Sequence, residues 1–156
     1  MSTPTISVIA IALWMISLAV VGMYFYKGWA TPSADGRVAI ILAPTERDRV
    51  LENMRGMLET VQEIIDGLAR NDIEQVAARA SAGGMGAVRM PVGLMAKLPM
   101  AFKEMGLGVH RGFDELARAA RTGASDGEML NALSTQLSSC IACHATYRLT
   151  LTSKNK

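Results

Sequence analysis

Cysteine and histidine are scarce in this chain of 156 residues: there are two of each, and both cysteines lie in one five-residue stretch. A structural zinc site wants four ligands, usually from a second Cys or His pair, and the lone His110 cannot complete one. No basic stripe is interleaved with aromatics and the net charge is only +2, which argues against a nucleic-acid partner. No segment alternates apolar and polar residues over strand lengths, so the cysteine pair does not sit in the strand–turn–helix setting of a thioredoxin-like site. Charge is absent altogether from residues 6–26, and methionine is absent after residue 144. What is present is helical periodicity and a large share of methionine, 11 residues in all.

The two cysteines stand in Cys140-Ile141-Ala142-Cys143-His144. C-x-x-C-H is the attachment signal for a c-type haem: two thiols form thioethers to the vinyl groups and the adjacent imidazole reaches the iron. On a helix, positions 140, 143 and 144 share one face, so the spacing predicts a helical site. A simple disulfide between the cysteines would leave His144 without a role. Only 12 residues follow His144 and none is Met. A second, thioether ligand must therefore come from earlier in the chain, which points to a bundle whose last helix carries the haem.

The uncharged run of 21 residues at 6–26, at a rise of ~1.5 Å per residue, crosses a hydrocarbon core of ~30 Å. It is expected to be a retained membrane helix. Gly28-Trp29-Ala30 offers small residues to a signal peptidase, but the run exceeds the ~7–15 apolar residues of a signal core and no Lys or Arg precedes it. Tyr24, Tyr26 and Trp29 gather at its end, where amphipathic rings favour the interface. Lys27 and Arg37 follow the span, which by the positive-inside rule would leave the rest of the chain in the cytoplasm. Haem attachment to C-x-x-C-H in bacteria takes place on the outer side of the inner membrane. That chemistry outweighs a small charge bias, because long domains translocate largely regardless of charge.

The expected organisation is an anchor at 1–29, a polar linker at 30–43, a helical domain at 44–150 and a tail at 151–156. Pro44 suits a first helical turn, and Val50, Met54, Met57, Val61, Ile64 and Leu68 form an apolar stripe. Asn71 and Asp72 break or cap, and a shorter helix follows from residue 73 to about 82. Gly83-Gly84 opens an irregular stretch to about residue 97. The next helix opens at Pro99 with the stripe Phe102, Met105, Val109, Phe113, Leu116 and Ala120, and ends at Thr122-Gly123. Ser125 with Glu128 forms a capping box for a last helix that carries Met129, Leu133, Leu137, Cys140 and His144. The fold class is all-α, an antiparallel four-helix bundle preceded by one transmembrane helix.

With C-x-x-C-H near the end of the last helix, continued as Cys140-Ile-Ala-Cys-His-Ala-Thr-Tyr-Arg148, residues 44–150 resemble the class II c-type cytochromes, the cytochrome c-prime family. Met54-x-x-Met57, Gly112-Phe113-Asp114 and the His-x-x-Tyr-Arg ending are also similar to the periplasmic b-type bundle cytochrome, with Met from helix one and His from helix four. The family divides on the residue that faces the haem from the first helix. The resemblance places Met54 there, implying a low-spin iron between His144 and Met54; Met57, three residues on, is the alternative, and both could equally be core packing. Arg148 can reach a haem propionate or simply be a charge near a helix end.

His110 lies beside the apolar stripe and is expected to be solvated or hydrogen-bonded rather than a ligand. Met85, Met90, Met95, Met100 and Met105 recur every five residues, which is not a helical period, so packing rather than copper binding is expected. The resemblance implies an electron carrier, not an enzyme: a single-pass protein of the bacterial inner membrane with one covalent haem c in the periplasm. Its partners would be the bilayer and redox proteins in or at the membrane. A five-coordinate, NO- or CO-binding cytochrome c-prime, a haem-bearing accessory subunit of a respiratory or photosynthetic complex, and a homodimer remain open.

Overall fold

The computed structural model describes residues 3–152, which form six α-helices and three short strands. Helix α1 (Thr3–Lys27) has every described side chain exposed, and is long and apolar enough to cross a membrane. Gly28 ends it at φ 62°, with its N–H donating to the Tyr24 carbonyl. A Cβ at this glycine would lie 2.5 Å from the Lys97 carbonyl oxygen, so both the left-handed turn and the close approach require glycine.

The stretch 30–43, expected as a linker, contains β1 (Ala30–Pro32) and β2 (Val38–Leu42), and the chain returns after the last helix as β3 (Tyr147–Leu151). Strand β2 pairs antiparallel with β1 and parallel with β3, in register from Val38 opposite Tyr147 to Leu42 opposite Leu151. The all-α expectation is corrected by this small sheet. The short run Val38-Ala-Ile-Ile-Leu42 is continuously apolar instead of alternating, the pattern of a strand covered on both faces; Ala39, Ile40 and Leu42 are buried. Residues 153–156 of the expected tail lie outside the described residues.

The helices expected from periodicity occur as α2 (Pro44–Ala69), α3 (Ile73–Gly83), α5 (Met100–Arg121) and α6 (Asp126–Thr146). Pro44 occupies the first turn of α2, and the Glu46 carboxylate accepts the Ala43 N–H. The Asp72 carboxylate accepts the Gln75 N–H to cap α3, and Asn71 makes the preceding turn at φ 54°. Ser125 and Glu128 form the reciprocal capping box of α6. The irregular stretch holds a single 3-10 turn (Met85–Ala87) and a short helix α4 (Val92–Lys97). Asp114 of α5 accepts the Met85 N–H and fixes that turn.

Helix α3 packs against α2 and α5, and α5 against α6, whereas α2 and α6 meet only sparingly. The core divides in two. One cluster is wholly helical and centres on Ile64, Val76, Phe113, Leu116 and Met129. The other joins the sheet to α2, α4 and α5 through Ile40, Leu42, Val50, Leu94, Leu98 and Phe102.

Candidate haem site

A cavity of about 390 Å³ lies among α2, α5, α6 and the 83–98 segment, and Met54, Met57, Cys140, Cys143 and His144 all line it. The stripe of α2 explains how it forms. Val50, Val61, Ile64 and Leu68 are buried, while Met54 and Met57 between them are only half-buried because they face the cavity. On α6 the intervening Ile141 and Ala142 point to solvent, so the helical phase turns Cys140 and Cys143 inward, while His144, itself exposed, lines the cavity at its edge. Met57 and Cys140 pack against the helical cluster, Met54 and Cys143 against the sheet-side cluster. The C-x-x-C spacing thus bridges the two halves of the core.

A second cavity of about 200 Å³ shares Met54, Phe102, Cys143 and His144 with the first and adds Arg37, Arg47, Tyr147 and Arg148. Arg148 is not on a helix end as expected. Helix α6 stops at Thr146, because the following residues enter the extended pairing with β2. From β3 the Arg148 guanidinium donates to the Asp35 carboxylate at 3.1 Å, and Arg37 pairs with the same carboxylate at 2.7 Å. The hydrogen bonds from Arg37 hold the Asp35 carboxyl well below the usual carboxylate range.

Neither cysteine is in a disulfide. Burial pushes both thiols up, and for Cys143 the neighbouring Cys140 adds to it. The pair therefore lacks the stabilised thiolate of a reactive redox or nucleophilic cysteine. Burial also raises the Tyr147 phenol, whose ring meets Phe102 edge-on at 5.3 Å.

Two buried polar side chains stand in the cavity wall. His110, beside the stripe, is only 5% exposed and is hydrogen-bonded, the second of the two environments expected for it. Its Nδ1 lies 2.7 Å from the Gly83 carbonyl, and since a carbonyl only accepts, that nitrogen carries the proton. Gln136 is 8% exposed, and its Nε2 has no hydrogen-bond partner. A Cβ on Gly112 would meet the Gln136 Oε1 at 2.5 Å, so the bare backbone of α5 makes room for that amide. Phe102 could have been found from the α5 stripe, and Gln136 from its position one turn before Cys140. Arg37 and Arg47 carried no local signal.

Of the five regularly spaced methionines, Met90, Met95 and Met105 line the cavity while Met85 and Met100 are exposed. Among the described residues no group of three or more His, Cys, Asp or Glu converges as a metal site. A protein-attached haem needs no such group, because its iron arrives already held by the macrocycle. Comparison with protein-family models, with curated proteins and with solved structures gives no match for this chain.

Proposed function

We propose that the chain is a membrane-anchored, monohaem c-type cytochrome that transfers single electrons. The observation that carries this reading is one cavity lined by both cysteines and the histidine of C-x-x-C-H, with a methionine thioether from α2 in the same wall. The residues fit the group. The wall is mainly apolar, as the faces of a haem require. Gln136 lines the same wall, and its buried Nε2 has no hydrogen-bond partner.

Cys140 and Cys143 would hold the haem through thioethers, and His144 and Met54 would offer its iron an imidazole nitrogen and a thioether sulfur. Bound there, a haem c supplies a one-electron iron couple. Met54 is preferred to Met57 because it alone of the two also lines the second cavity with His144. Arg37, Arg47 and Arg148 provide guanidinium groups suited to propionates. The helices α2, α3, α5 and α6 would be the antiparallel four-helix bundle of a class II cytochrome, with the sheet as an addition at one end.

Retention of α1 as an anchor is supported by its junction. The Trp29 N–H donates to the Lys97 carbonyl, the Trp29 carbonyl accepts from Ile41, and Lys97 Nζ sits 4.8 Å over the indole ring. Lys103 Nζ donates to the Phe25 carbonyl at 2.9 Å. Cleavage at 28–30 would cut through these contacts. In this reading the haem domain faces the periplasm of a bacterial inner membrane, where attachment takes place.

One measurement tests the reading: the intact mass, under denaturing conditions, of the protein extracted by detergent from washed membranes. The expected result is the uncut chain carrying one haem. A bare chain would remove the haem assignment, and a chain starting near Thr31 would remove the anchor.

A further inference from the structure

The two cavities are lined by six cationic side chains, Arg37, Arg47, Arg55, Arg89, Lys103 and Arg148, and by no aspartate or glutamate. Composition does not account for this, because the chain has 16 basic and 14 acidic residues. The carboxylates lie elsewhere, and among the described residues three ion pairs reach into the ring: Asp35 serves both Arg37 and Arg148, and Asp48 lies 3.6 Å from Arg47. Arg55, Arg89 and Lys103 have no carboxylate within ion-pair distance among the described residues. Arg89 is held by the Gly86 and Val88 carbonyls, and Lys103 by that of Phe25.

Haem propionates would occupy the outer arginines, and that leaves Arg55 and Arg89 without a function. Both are exposed, Arg55 on α2 and Arg89 on the 83–98 segment, across the cavity from α6. Between the cations the surface is apolar: Leu58 lines the cavity yet is 64% exposed. An apolar centre inside a charged rim is the anatomy of a protein–protein contact.

We propose that this ring is the docking surface for an acidic redox protein, which exchanges electrons across the mouth of the cavity. The inference rests on the haem reading above. Unpaired cations around a low-dielectric cleft focus the local field, so an acidic partner is steered to this face even though the whole chain carries little net charge.

The test uses the reduced, full-length haem protein in detergent, oxidised by ferricyanide or by tris(phenanthroline)cobalt(III). One electron leaves the iron in each case, giving ferrocyanide or the cobalt(II) complex. Raising the salt should slow the anionic oxidant and speed the cationic one. Arg55→Glu with Arg89→Glu should slow ferricyanide about tenfold at low salt, with the difference fading above about 0.5 M. The pair Arg55→Gln with Arg89→Gln should give a smaller change of the same sign with an unaltered visible spectrum, and Arg121→Glu, outside the cavities, should change neither rate. Soluble polyglutamate should compete with ferricyanide, and phosphatidylglycerol vesicles should not.

The same salt response for both oxidants, or an equal effect of Arg121→Glu, overturns the inference. So does competition by the vesicles alone, which would make this a lipid-facing surface. A colourless chain instead removes the haem reading itself, so the two failures are distinct.

Discussion

The two halves of the core are built by different means. The helical cluster around Phe113 draws on stripes of α2, α3, α5 and α6, each of which repeats at threes and fours along a continuous helix. The sheet-side cluster around Ile40 is assembled from residues 30–54, 90–102 and 143–149, three stretches far apart in the sequence. Helical phase alone could assemble the first. The second depends on β2 finding β3 more than a hundred residues later, and with that pairing closed, α6 ends at Thr146 and its cysteines and histidine face the cavity. The two meet at the site, the helical cluster behind Met57 and Cys140 and the sheet-side cluster behind Met54 and Cys143.

The largest expected effect separates the clusters by substitution at their centres. Leu116→Ala and Ile40→Ala should each destabilise by about 2–5 kcal/mol, since both side chains are almost wholly buried and neither lines a cavity. Chemical denaturation of the haem protein measures both. Only Ile40→Ala should also disturb the visible spectrum in native conditions, because its cluster holds Met54, Cys143 and Tyr147. Equal spectral changes in the two variants would erase the division.

A smaller effect is expected at the two methionines, which face the same cavity from opposite clusters. Met54→Ala should open the iron, so that the ferrous protein binds carbon monoxide readily and the potential falls with loss of the thioether. Met57→Ala should keep the spectrum and cost about 2 kcal/mol, the low end for a core methionine because the side chain is half-buried. Carbon monoxide titration decides between them. If Met57→Ala alone opens the site, the ligand comes from the other cluster; rapid binding by the unaltered protein would favour the gas-binding alternative.

The smallest effect lies where α2 meets the sheet-side cluster. The ammonium of Lys97 lies 2.6 Å from the Glu46 carboxylate, which also accepts the Ala43 N–H, and these hydrogen bonds lower the Glu46 pKa from its ordinary 4.5. A carboxyl whose folded pKa is depressed adds stability above its unfolded pKa and loses it as pH falls through the folded one. Lys97→Met should therefore reduce stability near neutrality by less than about 1 kcal/mol. It should also flatten the loss of stability on acidification below about pH 4.5. Denaturation midpoints from pH 7 to 3 measure this. Parallel curves for the two proteins would show that the pair does not bind α4 to α2.

Four helices of the soluble part were legible because their stripes, Pro44, Asp72 and the Ser125–Glu128 box are local signals. Cys140, Cys143 and His144 could be assigned to one face from spacing alone, and Met54 and Met57 to the stripe that meets it. The sheet was not legible. Strand β2 is five residues of unbroken apolar character and β3 is Tyr-Arg-Leu-Thr-Leu, too short to announce strands apart from their pairing. Arg148 was misplaced for the same reason. Four residues after His144 is one turn only while the helix lasts, and the helix is ended by a partner strand that no local pattern reveals. The burial of His110 depended on the Gly83 carbonyl, supplied by another helix.

By itself, then, the sequence determined the apolar helix of residues 6–26, the helices of the soluble part, and one face bearing two thiols and an imidazole. These follow from hydrogen bonding and side-chain phase within a few residues. The tertiary structure decided which side chains converge from afar: the division of the core, the cavity between its halves, the orphan donor on Gln136 and the cations gathered around the cavities. Each depends on contacts between segments whose sequences do not encode their distance from one another, and only the closing of the chain sets that distance.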